Sequence, residues 1–401
     1  MPRFEKLLTS LQEYSSLRDV FSAGITPDDV KKSIIGILGP HFENQTVLEE
    51  LAVPALLPEA MTVAHLMQHS WAYDGYCKSL DMYHSAHTST RGTSIGLCAS
   101  WEEDIEEGLH HYWSAFQLQS SPHNLELEEF ASECFRTIGM LIEAGIKPHL
   151  YDLLGQLRIA KGRRVSKAEL LQTSLGQVVG ELIRITELAD LLAPPPSHIR
   201  LNQWRNIAQH HSFRVEGNEV ICRYGTEPRV STVHLMRNEV YQVLDNTMNA
   251  NRAFKSARTV FLIDNLADAR PHILQGTQNL RPEQEILSFA SASATQGFEV
   301  IDISITPEAA IALLHDMTTL DPNKRRFHAS QLLHELWVCT QRNTISIEYR
   351  EKDGTPNLIS EVSGQDCDRL TRGEIDLEEF VQRTRFTNLK KPDTARDTTR
   401  G

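Results

Sequence analysis

Apolar residues recur at helical spacing along most of the first 260 residues, and this periodicity restricts the fold more than any other feature. The pattern predicts helices over residues 125–144, 148–159 and 166–192. Ser166 and Glu169 form a capping box at the start of the third helix, and a run of three prolines ends it. We therefore expect a packed helical bundle in this part of the chain.

Segments of alternating polarity interrupt and follow the helical pattern. Residues 212–224 alternate around Glu216-Gly217-Asn218 and predict a β-hairpin, after which residues 230–258 return to helical spacing. Further on, the pattern predicts strands at 298–305, 344–350 and 358–362 and helices at 307–320 and 329–340. We therefore predict a mainly α chain, in which a helical bundle carries a small β-hairpin and is followed by a C-terminal α+β domain.

These patterns divide the chain into four expected regions. They are an N-terminal helical region (1–100), the helical bundle (101–260), the α+β domain (285–387) and a polar, disordered tail (388–401).

Composition limits where the protein acts and what it binds. A formal net charge of −13 argues against a general nucleic-acid coat protein, because phosphate contacts need a basic face. No apolar run approaches the roughly 18 residues of a membrane span. The six cysteines contain no Cys-x-x-Cys pair, so neither a zinc ribbon nor a disulfide framework is indicated. We expect a cytoplasmic protein with no membrane partner.

One short segment departs from this acidic average. Five basic side chains and no acidic one lie between residues 158 and 167, namely Arg158, Lys161, Arg163, Arg164 and Lys167. Two interpretations stay open. The segment is either a solvated loop between helices or a local patch that steers phosphate groups towards the protein.

The helix predicted over residues 201–211 carries the most distinctive polar groups. On a helical wheel of about 100° per residue, Leu201, Trp204, Ile207 and Ala208 share one apolar arc, and His211 falls inside it. Arg205, Asn206 and His210 fall outside the arc. Three polar groups therefore leave the core together near the end of a helix, which is a suitable place for a site.

Arginine with histidine suits RNA cleavage by attack of the 2′-hydroxyl on the adjacent phosphorus. Histidine can act as the acid or the base near neutral pH. Arginine offers fork-shaped donors to the charge that develops on the phosphoryl oxygens. DNA lacks the 2′-hydroxyl, so this chemistry selects RNA.

The segment Arg205-Asn206-Ile207-Ala208-Gln209-His210 resembles the HEPN superfamily, whose ribonucleases carry Arg-Asn-x-x-x-His near the end of a helix. The resemblance implies a HEPN-like bundle and a dimeric RNA-cleaving enzyme, often a toxin or antiviral-defence effector. On this interpretation Arg205 stabilises phosphate charge, His210 is the acid or base, and Asn206 positions them. The five basic residues of the 158–167 segment would bind the RNA, and no metal or other cofactor is required.

The expected homodimer also follows from counting proton-transfer groups. In-line attack on phosphorus places the attacking and leaving oxygens on opposite sides, which favours two such groups. The wheel places His211 in the core, so each chain supplies one well-placed histidine. A two-fold dimer would bring a second Arg205 and His210 to the same groove. We also expect a regulatory antitoxin or sensor chain, because an unrestrained ribonuclease harms its host.

Two other functions stay open. The first is a non-catalytic helical interaction or regulatory protein in which the polar trio is incidental. The second is a metal-dependent hydrolase, because His65 and His69 have the i, i+4 spacing that can chelate zinc on a helix. The further ligand candidates of that cluster are Asp74, Cys77, Asp81, His84 and His87.

Overall fold

The computed structural model describes residues 16–108, 125–226, 228–273 and 282–389. The chain divides into two compact units, which we call unit 1 and unit 2. Unit 1 consists of Met1–Gly36, Glu49–Pro58 and Gln278–Gly401, and unit 2 consists of Ile37–Leu48 and Glu59–Thr277. The expected bundle, residues 101–260, lies within unit 2, which also includes residues 59–100. Of the expected disordered tail, residues 390–401 lie outside the described residues.

The described residues before position 212 form helices and connecting loops. The α-helices are α1 (Ser16–Ser22), α2 (Pro27–Leu38), α3 (Gln45–Leu51), α4 (Leu57–Leu66), α5 (Ser70–Ser89), α6 (Arg91–Ser100), α7 (Leu127–Met140), α8 (Lys147–Ala160), α9 (Lys167–Leu170), α10 (Leu175–Ile185), α11 (Ala189–Leu192) and α12 (Leu201–Gln209). A 3₁₀ turn (Gly39–His41) follows α2, and residues 102–108 are also helical. A π-helical turn (Leu141–Ile146) joins α7 directly to α8.

The remaining elements are mixed. They are β1 (Phe213–Glu216), β2 (Glu219–Thr226), β3 (Arg229–Leu235), α13 (Arg237–Asp264), α14 (Leu266–Ile273), α15 (Pro282–Thr295), β4 (Phe298–Ile305), β5 (Ala309–Asp316), α16 (Pro322–Ser330), α17 (Leu333–Thr340), β6 (Thr344–Arg350), β7 (Pro356–Ser363), α18 (Gly364–Thr371), α19 (Leu377–Arg383) and β8 (Arg385–Asn388). Strands β1, β2 and β3 form an antiparallel sheet. Strands β4 to β8 pair in chain order, and only β5 with β6 is parallel.

The core of unit 2 is built around α13, whose 28 residues are buried at intervals along its whole length. This helix packs against α5 and α7, and α8 packs against α5. Charged side chains are buried in this core together with the apolar ones. Asp152 is fully buried, and the Nε of buried Arg258 lies 3.4 Å from its Oδ2. Tyr83 donates to the same carboxylate at 3.1 Å, so this buried acid is both paired and hydrogen-bonded.

Unit 1 contains the five-stranded sheet, and helices α15, α16, α17, α18 and α19 contribute to its core. Asp316 at the end of β5 and Arg325 of α16 form a buried ion pair with an N–O distance of 3.1 Å. The mainly α class with a β-containing C-terminal region is therefore confirmed. No helix among the described residues is long and apolar enough to cross a membrane.

Some local predictions are wrong. Residues 307–320 contain the strand β5, although the run Ala309–Asp316 is rich in good helix formers. Pairing on both sides, with β4 and β6, outweighs that preference. The single helix expected over 166–192 is divided into α9, α10 and α11 by turns. The expected two-stranded hairpin has a third strand, β3, taken from residues where helix was predicted.

Candidate functional site

Helix α12 is held in place by its apolar face, as its sequence pattern predicts. Leu201, Trp204, Ile207 and Ala208 are all buried. The ring of Trp204 stacks on Phe135 of α7 at a centroid distance of 6.4 Å. The two helices approach closely, because a Cβ on Gly139 would lie 3.0 Å from the Cβ of Ala208. Arg205 and Asn206 are partly exposed, and His210 is exposed.

The helix ends at Gln209, two residues earlier than its periodicity predicts. The His210 N–H still donates to the Asn206 carbonyl at 3.0 Å. His211 then adopts a left-handed conformation with φ of 48°, and the Ser212 N–H donates back to the Ile207 carbonyl at 3.0 Å. The left-handed residue and the hydrogen bond from Ser212 to Ile207 are features of the Schellman C-cap, which usually has glycine at the left-handed position.

The C-cap changes the environment of His211. The prediction of a core histidine is wrong, because the helical wheel no longer applies beyond Gln209 and the side chain is exposed. A non-glycine residue in the left-handed region costs about 1 kcal/mol or more and is often found at functional sites. Both neighbouring histidines therefore lie at the surface, at the same helix end.

Two backbone N–H groups of β2 donate hydrogen bonds to α12 and to the residues that follow it. The Arg223 N–H of β2 donates to the Ser212 carbonyl at 2.8 Å. The Gly225 N–H donates to Oε1 of Gln203 on α12 at 3.1 Å. Gly225 has a φ of 99°, and a Cβ there would lie 2.3 Å from the Arg229 carbonyl oxygen. Only glycine allows β2 to approach β3 this closely without displacement, so Gly225 holds the β2–β3 pair together next to its hydrogen bond with α12.

The helix end and the sheet together border a cavity of about 390 Å³ that is widely open to solvent. Its polar lining comes from His210, His211, Ser212, Arg214, Arg223 and Tyr224. No aspartate or glutamate lines it among the described residues. Arg214 does pair with Glu216 at 2.5 Å, but both side chains are more than half exposed and can exchange with water or a ligand. Two imidazoles and two guanidiniums around one cavity make it suited to an anion such as phosphate.

Arg205 does not line this cavity. Its Nε donates to Oε2 of Glu143 at 2.9 Å, and its Nη1 donates to Oδ1 of Asn206 at 3.4 Å. Glu143 also accepts from Lys147 at 2.5 Å. Burial alone would raise the pKa of Glu143, but the hydrogen bonds from Lys147 and Arg205 outweigh it and lower that pKa. The three predicted residues therefore do not lie at one place. Arg205 bonds to Glu143 and to Asn206, whereas His210 lines the cavity.

The predicted basic patch is divided as well. Arg158 bonds to Glu181 at 2.9 Å and lies 3.9 Å from Glu169. Lys167 pairs with Asp104 and donates to the Ser100 carbonyl at 2.9 Å. These two residues therefore connect helices. The other three members, Lys161, Arg163 and Arg164, are exposed in the loop that follows α8.

The histidines of the metal-hydrolase alternative form two groups. His65 lies 3.0 Å from the amide oxygen of Asn249, and its ring centroid is 5.1 Å from that of His69. His84 and His87 instead face acidic residues, with His84 Nδ1 at 3.6 Å from Glu43 and His87 Nε2 at 3.5 Å from Asp268. The four histidines, which are close in the sequence, therefore have separate partners in the fold and do not form one cluster.

Sequence reasoning missed several residues at this site. Arg214, Arg223 and Tyr224 all occur in the predicted hairpin, and their basic and aromatic character beside the two histidines is a signal that could have been used. Glu143 gave no signal, because it is 62 positions from Arg205 in the sequence.

Comparison of the chain with protein-family models, curated proteins and solved structures finds no match. The site must therefore be interpreted from its own geometry.

Proposed function

We propose that the protein is a metal-independent endoribonuclease that cleaves RNA by 2′-hydroxyl attack. The observation that supports this most strongly is the cavity lined by His210, His211, Arg214 and Arg223, to which the described residues contribute no carboxylate. Two histidines at one cavity can provide the base for the 2′-hydroxyl and the acid for the leaving oxygen. The two arginines can bind the phosphate and stabilise charge on its oxygens.

The exposed position of His211 removes one reason for expecting a dimer. Two histidines, rather than a single one, line the cavity of one chain. A shared site is therefore no longer needed to supply both proton-transfer groups. The homodimer stays a prediction from the HEPN resemblance, together with the toxin or antiviral role and the restraining antitoxin or sensor chain.

Arg205 and Asn206 retain a role in the proposal. Arg205 is the one arginine of α12, and its ion pair with Glu143 is partly open to solvent, with side chains 28% and 32% exposed. An incoming phosphate can therefore compete with Glu143 for the guanidinium. Asn206 accepts from Arg205 and would help to orient it. The exposed loop residues Lys161, Arg163 and Arg164 are the part of the basic segment best placed to attract RNA.

The test is cleavage of end-labelled RNA by the purified protein in the presence of a chelator. We expect cyclic-phosphate ends, and no cleavage when a 2′-deoxy nucleotide replaces the one at the cut. His210→Ala and His211→Ala should each reduce cleavage by roughly 10²-fold or more, the size of an acid–base contribution. His234→Ala is the matched control, because His234 is an exposed sheet histidine that pairs with Glu219 and does not line this cavity.

The alternatives predict different results. RNA binding without cleavage in the wild-type protein would favour the non-catalytic interaction protein. Cleavage that the chelator abolishes would favour the metal-dependent hydrolase. Unchanged cleavage in both His210→Ala and His211→Ala would remove the cavity from the mechanism.

A further inference from the structure

A second group of potential ligand side chains lies elsewhere in unit 2, formed by Glu43, His84 and Asp264. One donor atom from each lies within 4.8 Å of the donors of the other two. The donors come from three separate segments: the turn before α3, the helix α5 and the last residue of α13. Groups so distant in the sequence converge only through the fold.

The three side chains differ in how firmly they are held. Asp264 is buried, and its carboxylate accepts the backbone N–H of Glu43 at 3.0 Å and of Asn44 at 2.8 Å. His84 is 15% exposed, and its ring packs edge-on against Phe261. Glu43 is 73% exposed, with Oε1 3.6 Å from Nδ1 of His84. The side chains of Asp264 and His84 are thus held in place by the surrounding structure. The exposed side chain of Glu43 can move towards them.

This donor set has a defined chemical preference. One imidazole nitrogen with two carboxylate oxygens is a ligand combination that binds Zn²⁺, with a fourth position left for water. Metal–ligand distances of about 2.0–2.2 Å would require the donors to draw closer. The exposed Glu43 side chain can make most of that movement. Each carboxylate oxygen of Asp264 keeps a lone pair beyond the one that accepts the backbone N–H.

A neighbouring pair adds negative charge to the same end of unit 2. His87, three residues after His84 on α5, lies 3.5 Å from Asp268 and also packs edge-on against Phe261. Burial lowers the pKa of His87, an effect that the charge of Asp268 opposes. Three carboxylates therefore lie beside two histidines here, and Arg91 contributes one opposing positive charge at His87.

We propose that Glu43, His84 and Asp264 bind a divalent transition-metal ion of the Zn²⁺ class, with one coordination position open. The site shares no residue with the ribonuclease cavity. The ribonuclease reaction does not use it, so either proposal can fail while the other stands.

The experiment titrates the full chain with Zn²⁺ alone in an isothermal calorimeter. We expect one equivalent to bind. Glu43→Gln and His84→Gln should each weaken binding by about tenfold or more, because loss of even an outer-shell partner of a metal ligand typically has an effect of that size. His234→Gln should bind as wild type does. That control removes a histidine that also pairs with a glutamate, at 2.9 Å, but has no third donor in the described residues.

Cobalt provides a second readout, because the chain also has six cysteines. Co²⁺ bound by nitrogen and oxygen ligands should show no thiolate charge-transfer band, and Zn²⁺ should displace it. Glu43→Gln is the decisive variant, since its exposed side chain can be replaced without loss of folding, which circular dichroism checks. The proposal is overturned if no single equivalent binds, if Glu43→Gln and His84→Gln bind as wild type, or if the bound Co²⁺ shows a thiolate band.

Discussion

Lowering the pH from about 8 to about 5 should destabilise unit 2 through His149 of α8. This residue is 4% exposed, and its Nδ1 has no hydrogen-bond partner among the described residues. Burial, with smaller contributions from the positive charges of Arg258 and Lys255, lowers the pKa of His149 to about 3. The folded protein therefore holds this imidazole neutral over the whole range.

The magnitude follows from proton linkage. In the unfolded chain, His149 takes up a proton as the pH falls through about 6.5. In the folded chain, the same imidazole stays neutral until the pH approaches its lowered pKa of about 3. The stability that depends on a neutral His149 is complete well above pH 6.5 and decreases as the pH falls. Integrating between these pKa values gives a loss of about 2 kcal/mol by about pH 5.

The assay is urea unfolding at several pH values between about 5 and 8, compared between wild type and His149→Gln. Other buried histidines also destabilise the protein in acid, so the difference between the two proteins isolates His149. Glutamine does not titrate, and the variant should lose about 2 kcal/mol less than wild type over this range. Equal pH dependence in both proteins would refute the reasoning, because it would show that His149 is protonated in the folded state or exposed to water.

Three further substitutions test the site and the fold. Glu143→Gln should release Arg205, tightening the binding of a short RNA several-fold while lowering stability by about 1 kcal/mol; unchanged RNA affinity would show that Arg205 has only a structural role. Gly225→Ala should reduce both cleavage and the melting temperature, because its Cβ would lie 2.3 Å from a backbone oxygen; an active, equally stable variant would contradict this. Arg325→Met should destabilise unit 1 by about 3–5 kcal/mol, since Asp316 would be left buried without its cation, and a denaturation curve matching that of wild type would argue against a buried pair.

The apolar face of α12 shows what local pattern can predict. Leu201, Trp204, Ile207 and Ala208 recur at helical spacing, and all four are buried. The same pattern failed at His211, because periodicity does not specify where a helix ends. The end depends on the backbone hydrogen bond from Ser212 to Ile207 and on a left-handed residue that is not glycine. A histidine at that position gives no sequence signal for a C-cap.

The β5 strand shows the opposite limit. Its run of alanines and leucines favours a helix locally, and the pairing with β4 and β6 that makes it a strand involves residues on both sides of it. Strand preference depends strongly on such neighbours, so a local pattern predicts it less well than helix.

The sequence by itself determined that the chain is mainly helical, that α12 has one apolar face, and that Arg205, Asn206 and His210 lie off that face. These properties depend on residues within a few positions of one another, and helical spacing therefore records them. The tertiary structure alone decided that Arg223 meets His210 and His211 at one cavity, and that Glu143 takes the guanidinium of Arg205. Such contacts depend on how helices and strands pack against one another. Residues that packing brings together are far apart in the sequence, so no periodic pattern along the chain indicates them.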